Sequence, residues 1–227
     1  MNMNRKSSKE DALPIGPLLL RLRSLRGFMP HATNIALMRM LGALDTRRSR
    51  MSAAWWGIRL GEYSVFCGVP IFRRHPTATI VIGSCAVFQS AEWSNTIGLN
   101  RRCIISASRN ATIQIGDSCG FSATVIAATK SIMIGNRVLC GANCTIVDTD
   151  CHPLDPISRA SHQSTAGEPI IIEDDTWLGK NVEVLKGCSI GKGTVVAANS
   201  VVTHSLPTGV LAGGVPARVI RELKHDD

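Results

Sequence analysis

IIEDDTWLGKNVEVLKGCSIGKGTVVAANSVVTHSL, residues 171–206, carries the pattern that decides the fold. Ile172, Leu178, Val184, Ile190, Val196 and Val202 recur at an unbroken interval of six. One step after each stand Glu173, Gly179, Leu185, Gly191, Ala197 and Thr203, and four steps after each stand Thr176, Val182, Cys188, Thr194, Ser200 and Leu206. An α-helix repeats near 3.6 residues and a simple strand at 2, so neither accounts for a strict six. An aliphatic residue at one position of six, with small residues at two others, describes a solenoid of short strands. The chain turns a corner every six residues, and the aliphatic column points inward and stacks coil upon coil.

The same register reads upstream. Ile82-Gly83, Ile97-Gly98, Ile115-Gly116 and Ile134-Gly135 mark successive coil starts, separated by 15, 18 and 19 residues. Three hexads make one triangular coil, so the departures predict insertions or deletions at corners. Phe121, Cys140 and Ile146 take intermediate inward positions, and the solenoid is expected from about Gly61 to residue 223. Within GVPIFRRHPTATIVIG, the residues Arg73, Arg74 and His75 read as exposed strand-edge charge, with acceptor recognition as the sharper alternative. The repeat is expected to be interrupted once, at residues 151–171, by CHPLDPISRASHQSTAGEPI. Its prolines, glycine and hydroxyl residues cannot continue a coil. A long loop leaving a rigid fold points to function.

Charge and composition narrow the classes. The net charge is +8, and aromatic residues make up only 4% of the chain, as a stack of narrow coils requires. Residues 1–60 hold eleven Lys or Arg against Glu10, Asp11 and Asp45, while the remainder is neutral. The basicity therefore belongs to the N-terminal segment and is not a nucleic-acid stripe. The eight cysteines show no disulfide-framework or CxxC spacing. Cys119, Cys144 and Cys188 fall in the small-residue column and read as buried hydrophobes in a reducing compartment. No signal peptide or membrane span is evident, because Arg21 and Arg23 interrupt Leu18–Leu25. A cytoplasmic protein is expected.

Residues 1–60 form a basic, partly helical extension. Leu18, Leu22, Leu25, Ile35, Met38, Leu41 and Leu44 have helical spacing, with Gly27, Pro30 and Gly42 expected to break the segment into two short helices. A helical cap over the first coil is one reading. Peripheral contact with an anionic membrane surface is the other. Trp55 and Trp56 read as packing at the entry to the first strands.

Together, the hexad repeat, the motif DTDCHPLD and TWLG 25 residues beyond His152 resemble the hexapeptide-repeat acyltransferases. Within that family, they are most similar to the sugar O-acetyltransferase branch of maltose, galactoside and polysaccharide-modifying enzymes. The resemblance covers about residues 60–223 and is strongest from Val138. It implies an all-β solenoid, a left-handed parallel β-helix, with a hand that periodicity alone does not give. It also implies an acetyl-coenzyme A donor, a sugar or polysaccharide acceptor and a homotrimer with active sites between subunits.

The resemblance further implies that His152 is the catalytic base. The chemistry agrees: acyl transfer from a thioester to a hydroxyl needs a base that ionises near working pH, as histidine does. Trp177, Ala198, Thr203, His204, Arg218 and Arg221 match positions that contact coenzyme A; the family's usual lysine is His204 here. Ser122, Asp150 and His162 are the acceptor-side candidates, and Asp150 or a backbone carbonyl is the expected orienting partner of the ring. Asp148 and Asp155 are further candidates for sugar hydroxyls, and Asp155 equally suits a local turn before Pro156. Where relatives carry an acceptor-contacting Asn, this chain has Ser122, so the acceptor does not transfer. Three other readings stay open at this point: amino-sugar N-acetylation, a γ-carbonic-anhydrase-like zinc lyase, and a silent scaffold. No metal ligand set is expected.

Overall fold

A computed structural model describes residues 17–161 and 165–223, with side chains described from Arg26 onward. From Arg59 the backbone is a parallel β-helix of triangular section, in which each coil gives one short strand to each of three sheets. The first sheet stacks Arg59–Leu60, Thr79–Ile82, Thr112–Ile115, Ser131–Ile134, Ile170–Ile172 and Ser189–Ile190. The second stacks Val65–Cys67, Val87–Gln89, Gly120–Ser122, Leu139–Cys140, Trp177–Leu178 and Val195–Val196, and ends in the antiparallel hairpin Val210–Gly214 and Ala217–Glu222. The third stacks Ile71–Arg74, Ile104–Ala107, Val125–Ala128, Thr145–Val147, Glu183–Val184 and Val201–Val202.

Parallel pairing puts each inward residue over its counterpart one coil away, about 4.8 Å along the stack. Ile82, Ile115, Ile134, Ile172 and Ile190 form such a column in the first sheet, all buried. In the second sheet Phe66, Phe88 and Phe121 stack with ring centroids 5.0 Å apart, and the column continues as Cys140, Leu178 and Val196. The third holds Phe72, Ile105, Ile126, Ile146, Val184 and Val202.

The small-residue column turns into the corners. Cys119, Cys144 and Cys188 are buried there, and Thr176 and Thr194 bury hydroxyls that donate to the carbonyls of Glu173 (2.8 Å) and Pro207 (2.6 Å). All eight cysteines are free thiols. Burial pushes the Cys140 thiol well above its ordinary pKa and that of Cys144 up to about 11, so both behave as small hydrophobes. Between the second and third sheets the turn needs a left-handed residue, supplied by Asn143, Asn181 and Asn199 at φ of 65°, 57° and 60°. Coils also approach too closely there for a side chain: a Cβ on Gly179 would lie 2.6 Å from the Ala198 nitrogen.

Four expectations change. Ile97-Gly98 is not a coil start; Ile97 is 63% exposed in a loop at 90–103 between the second-sheet and third-sheet strands of coil two. The repeat is therefore interrupted twice, and the step from coil two to coil three spans 33 residues from Ile82 to Ile115. The N-terminal segment is one continuous helix, Pro17–Trp55, with Pro30 inside it, where two short helices were expected. A glycine costs a helix only about 1 kcal/mol relative to alanine, which neither Gly27 nor Gly42 makes decisive. Trp55 does not pack; it is 88% exposed. Arg74 is no free edge charge, since its Nε donates to the Trp56 carbonyl at 2.6 Å and its Nη1 to that of Ala78 at 2.7 Å.

The chain forms two compact units that divide between Arg39 and Met40. Within the second, helix residues close the open edge of the first coil. Asp45 Oδ2 accepts from the Gly68 nitrogen at 2.9 Å, and Thr46 Oγ1 accepts from the Phe66 nitrogen at 2.9 Å. Those edge groups have no strand beyond them and require such partners. Among the described residues no helix is long and apolar enough to cross a membrane. Because Phe88 is wholly buried between two rings, Phe88→Ala should cost about 3–5 kcal/mol of unfolding free energy. Denaturant titration checks this, and a loss below about 1 kcal/mol would show that the ring stack is dispensable.

Candidate active site

The loop at 148–169 leaves the corner between the third and first sheets, after coil four, and its neck is clamped. Asp148 is fully buried, and its carboxylate accepts from the Thr129 nitrogen (2.7 Å), Thr129 Oγ1 (2.8 Å), the Lys130 nitrogen (2.7 Å) and the Ser131 nitrogen (2.8 Å). These donors belong to the turn one coil earlier. A buried carboxylate is tolerable only when satisfied in this way. Thr149 and Thr165 pair their hydroxyls at 2.8 Å, and the Glu168 nitrogen donates to the Asp148 carbonyl at 2.8 Å. From coil five, Lys186 Nζ reaches Asp150 Oδ2 at 2.5 Å and Glu168 Oε1 at 3.5 Å, tying both sides of the neck. The hydrogen bond to Asp150 holds the Lys186 ammonium above its ordinary pKa.

His152 is presented from this neck. Its backbone nitrogen donates to the Asp150 carbonyl at 2.7 Å, while its ring is exposed and makes no hydrogen bond among the described residues. The Asp150 carboxylate faces Lys186 rather than the imidazole. Asp155 takes the local role: its side chain accepts from the Ser158 nitrogen at 2.7 Å and caps the short helix Pro156–Ala160. Asp148, being buried and saturated, offers nothing to a sugar hydroxyl. His162 lies outside the described residues. Along the same edge, in coil six, Thr203 Oγ1 and His204 Nδ1 pair at 2.7 Å.

The other predicted residues lie elsewhere, on or beside the outward face of the second sheet. Val65, Val87, Gly120, Leu139, Trp177, Val195 and Leu211 form one outward row, and Arg221 pairs with Leu211. The register irregularity between Leu211 and Ala212 puts Arg218, opposite Gly213, and Arg221 on this same outward face. Both arginines are exposed and donate only to neighbouring backbone carbonyls.

Beside that row runs a second column, Gln89, Ser122, Gly141, Gly179, Ala197 and Gly213, in which Gly179 is buried and a Cβ on Gly141 or Gly179 would meet the next coil's backbone. With Ala198 at the adjoining corner, it forms a shallow channel bordered by Leu139 and Trp177, the latter 53% exposed. Its upper part is a groove of about 340 Å³, the lower end of the ordinary range for small-molecule sites. A larger groove of about 460 Å³ on the first sheet, lined by Gln114, Met133, Ile171 and Lys192 among others, holds none of the predicted residues.

One chain thus does not gather the predicted site. Asp150, His152, Thr203 and His204 occupy the edge between the third and first sheets. Ser122, Trp177, Arg218 and Arg221 face outward from the second, with Ala198 beside them. The width of the third sheet, roughly 10 Å of strand, separates the two groups. Sequence reasoning missed Gln89 and Asn95, which join Ser122 at the head of the channel. Asn95 Nδ2 donates to Gln89 Oε1 (2.9 Å) and Ser122 Oγ (3.2 Å), and Ser122 Oγ donates to Gln89 Oε1 (2.7 Å). The lost signal was the 33-residue register between Gln89 and Ser122, hidden by reading Ile97 as a coil start.

Residues 169–204 match the family model described as bacterial transferase hexapeptide (six repeats). A galactoside O-acetyltransferase of Lactococcus lactis is 37% identical over 119 residues, 52% of this chain and 56% of that protein. A putative lipopolysaccharide-biosynthesis O-acetyltransferase of Escherichia coli K12 is 35% identical over 108 residues, 44% of this chain and 55% of that protein. The chain spans about half the length of the curated relatives it matches. Among solved structures, a hexapeptide-repeat containing acetyltransferase from Vibrio cholerae superposes with a TM-score of 0.52 at 28% identity, covering 92% of this chain and 95% of that one. The fold is accordingly the left-handed β-helix.

Asp148→Ala should strand the four donors at 129–131 and release the loop neck, at about 1–3 kcal/mol for the buried groups left unpaired. Limited trypsin digestion reads this as faster cleavage at Arg159. An unchanged cleavage rate would show that the clamp does not hold the loop.

Proposed function

We infer that this protein is an acetyl-coenzyme A-dependent O-acetyltransferase acting on a saccharide hydroxyl, as a homotrimer with active sites between subunits. The observation that carries this reading is the division of the predicted residues between two places on one chain. A threefold axis parallel to the solenoid keeps every residue at its own height and brings the His152 edge of one copy to the second-sheet face of the next. His152 follows coil four, which supplies Leu139 and Gly141. It would therefore meet the partner's channel between Ser122, one coil above, and Trp177, one coil below.

The channel supplies the donor's path. Arg218 and Arg221 at its foot suit phosphate oxygens by bidentate hydrogen bonding. Ala197, Gly179 and Gly141 leave room for a thin pantetheine arm, with Ala198 at the corner and Trp177 as the wall beside it. Thr203 and His204 lie on the histidine-bearing edge, two coils below His152, and would close the channel from the neighbouring copy.

At the level of coil four, His152 takes the proton of the acceptor hydroxyl as its oxygen attacks the thioester carbon. The carbon–oxygen bond forms, the carbon–sulfur bond breaks, and the imidazolium returns the proton to the departing thiolate. Lys186, by fixing Asp150 and Glu168, holds the neck from which the ring is presented. The related proteins named for O-acetyl transfer support hydroxyl over amine acceptors. The free thiols and the absence of a spanning helix among the described residues are consistent with a cytoplasmic enzyme.

His152→Ala should lower kcat by about 10²–10⁴ while leaving acetyl-coenzyme A affinity and the melting temperature nearly unchanged. Acetyl-dependent thiol release, calorimetry and thermal melting measure the three. Near-normal turnover would make the histidine structural.

The shared site has its own test. His152→Ala chains mixed with Arg218→Ala/Arg221→Ala chains, dissociated and reassembled, should regain activity, because some interfaces then pair an intact histidine edge with an intact channel. Light scattering should give a trimer. No recovery from a verified mixed trimer would place the whole site within one chain.

A further inference from the structure

The head of the channel holds a polar group that donor binding leaves unused. Gln89 lies two coils above the level of His152, on the outward face of the second sheet. Its Oε1 accepts from both Asn95 Nδ2 and Ser122 Oγ, which fixes the amide's orientation. Its Nε2 then points two hydrogens elsewhere, and they meet no acceptor among the described residues. Asn95 Nδ2 is spent on Gln89 and Ser122, and its Oδ1 accepts from the Ile97 nitrogen at 3.0 Å. Gln89 is therefore the member of the cluster with donors to spare.

The loop bearing Asn95 is fastened in place. Arg101 Nη2 donates to the Asn143 carbonyl at 2.6 Å and to Thr145 Oγ1 at 2.9 Å, while its Nε donates to the Ala123 carbonyl at 3.1 Å. Asn143 Oδ1 accepts from the Asn100 nitrogen at 3.1 Å. Lys180 Nζ, from coil five, donates to the Ile97 carbonyl at 3.3 Å. Leu99 packs into a small cluster with Ala123 and Ala142. The insertion at 90–103 thus runs down the corner over coils three to five and holds the Gln89 amide ready before any ligand arrives.

From these observations we propose that Gln89, oriented by Asn95 and Ser122, is a distal acceptor subsite, and that the acceptor is an uncharged saccharide of at least two sugar units. This rests on the reading of the channel given above. The arginines put the donor's phosphates at the foot, so the acceptor enters from the head. Two coil spacings separate Gln89 from the level of His152, about 10 Å. One pyranose ring with its substituent oxygens covers roughly half of that, given bonds of about 1.5 Å. A monosaccharide placed for attack leaves the Gln89 donors empty; a second unit reaches them with a ring or hydroxyl oxygen. The groove has no charged lining residue, and Val87 and Leu139 border it, which suits the mixed apolar and hydroxyl faces of a neutral sugar better than an anionic one.

The test is a set of acceptor series from mono- to tetrasaccharide, built on glucose, galactose, mannose and N-acetylglucosamine, each assayed by acetyl-dependent thiol release. For the unmutated protein, kcat/KM in the productive series should rise about tenfold or more from one unit to two and then level off, as one or two added neutral hydrogen bonds would give. Gln89→Ala should reduce that ratio about tenfold. Asn95→Ala, which frees the amide without removing it, should reduce it by less. Acetyl-coenzyme A affinity and thermal melting should hold for both variants.

A flat length dependence in the unmutated protein, or a ratio unchanged in Gln89→Ala, overturns the subsite while leaving saccharide acetylation standing. If no series is acetylated although acetyl-coenzyme A binds, the saccharide reading itself fails and the subsite falls with it.

Discussion

Parallel pairing of coil upon coil at a fixed spacing is the constraint on which everything else depends. Once Ile82, Ile115, Ile134, Ile172 and Ile190 must stack, the outward residues have no freedom of register either. Trp177 stands over Val195 because Leu178 stands over Val196. A position in the hexad thus fixes a residue's face, and the coil it belongs to fixes its height. Function can be placed on such a scaffold only where the pairing is interrupted or on its outward columns, and the proposed site uses both kinds of place.

The two interruptions are secured differently, and the difference matches what each carries. The loop at 148–169 is held at its neck by charge: a buried carboxylate on four donors, and an ammonium bridging two acids. Beyond the neck its described side chains are mostly exposed, so the histidine is fixed at its backbone and free at its ring. The insertion at 90–103 is held along its length by Arg101, Asn143 and Lys180. Such distributed fastening suits a wall. It keeps Asn95 in register with two strands that belong to different coils.

Where the sequence repeats without a break, it was legible to the residue. The columns from Ile172 to Val202, the buried thiols and the small corner residues all follow from the six-residue period. Ile97-Gly98 misled because an exposed turn offers the same dipeptide as a coil start, and periodicity does not report whether an isoleucine points inward. Pro30 and the glycines misled because a short apolar pattern says little about where a helix ends. The clamp at Asp148 and the cluster at Gln89 were invisible for another reason. The clamp joins residues 17 to 19 positions apart and the Gln89–Ser122 pair lies 33 apart, and such pairs become neighbours only after every insertion has been placed. The motif DTDCHPLD pointed to His152, but not to the fact that its presumed orienter, Asp150, would be committed to Lys186.

That commitment bears on how a solitary chain would behave. An imidazole acts as a base most effectively when its second nitrogen is held by an acceptor, which sets the tautomer and steadies the charged form. In one chain no described residue does this: Asp150 faces Lys186, and Asp148 is buried and saturated. Under the proposed mechanism the orienting group would come from outside the described residues. A lone subunit would then hold a base without its orienter and a channel without its base. In the proposed trimer, assembly would bring the channel and the base together, and the exposed ring of His152 leaves it open to groups from another copy.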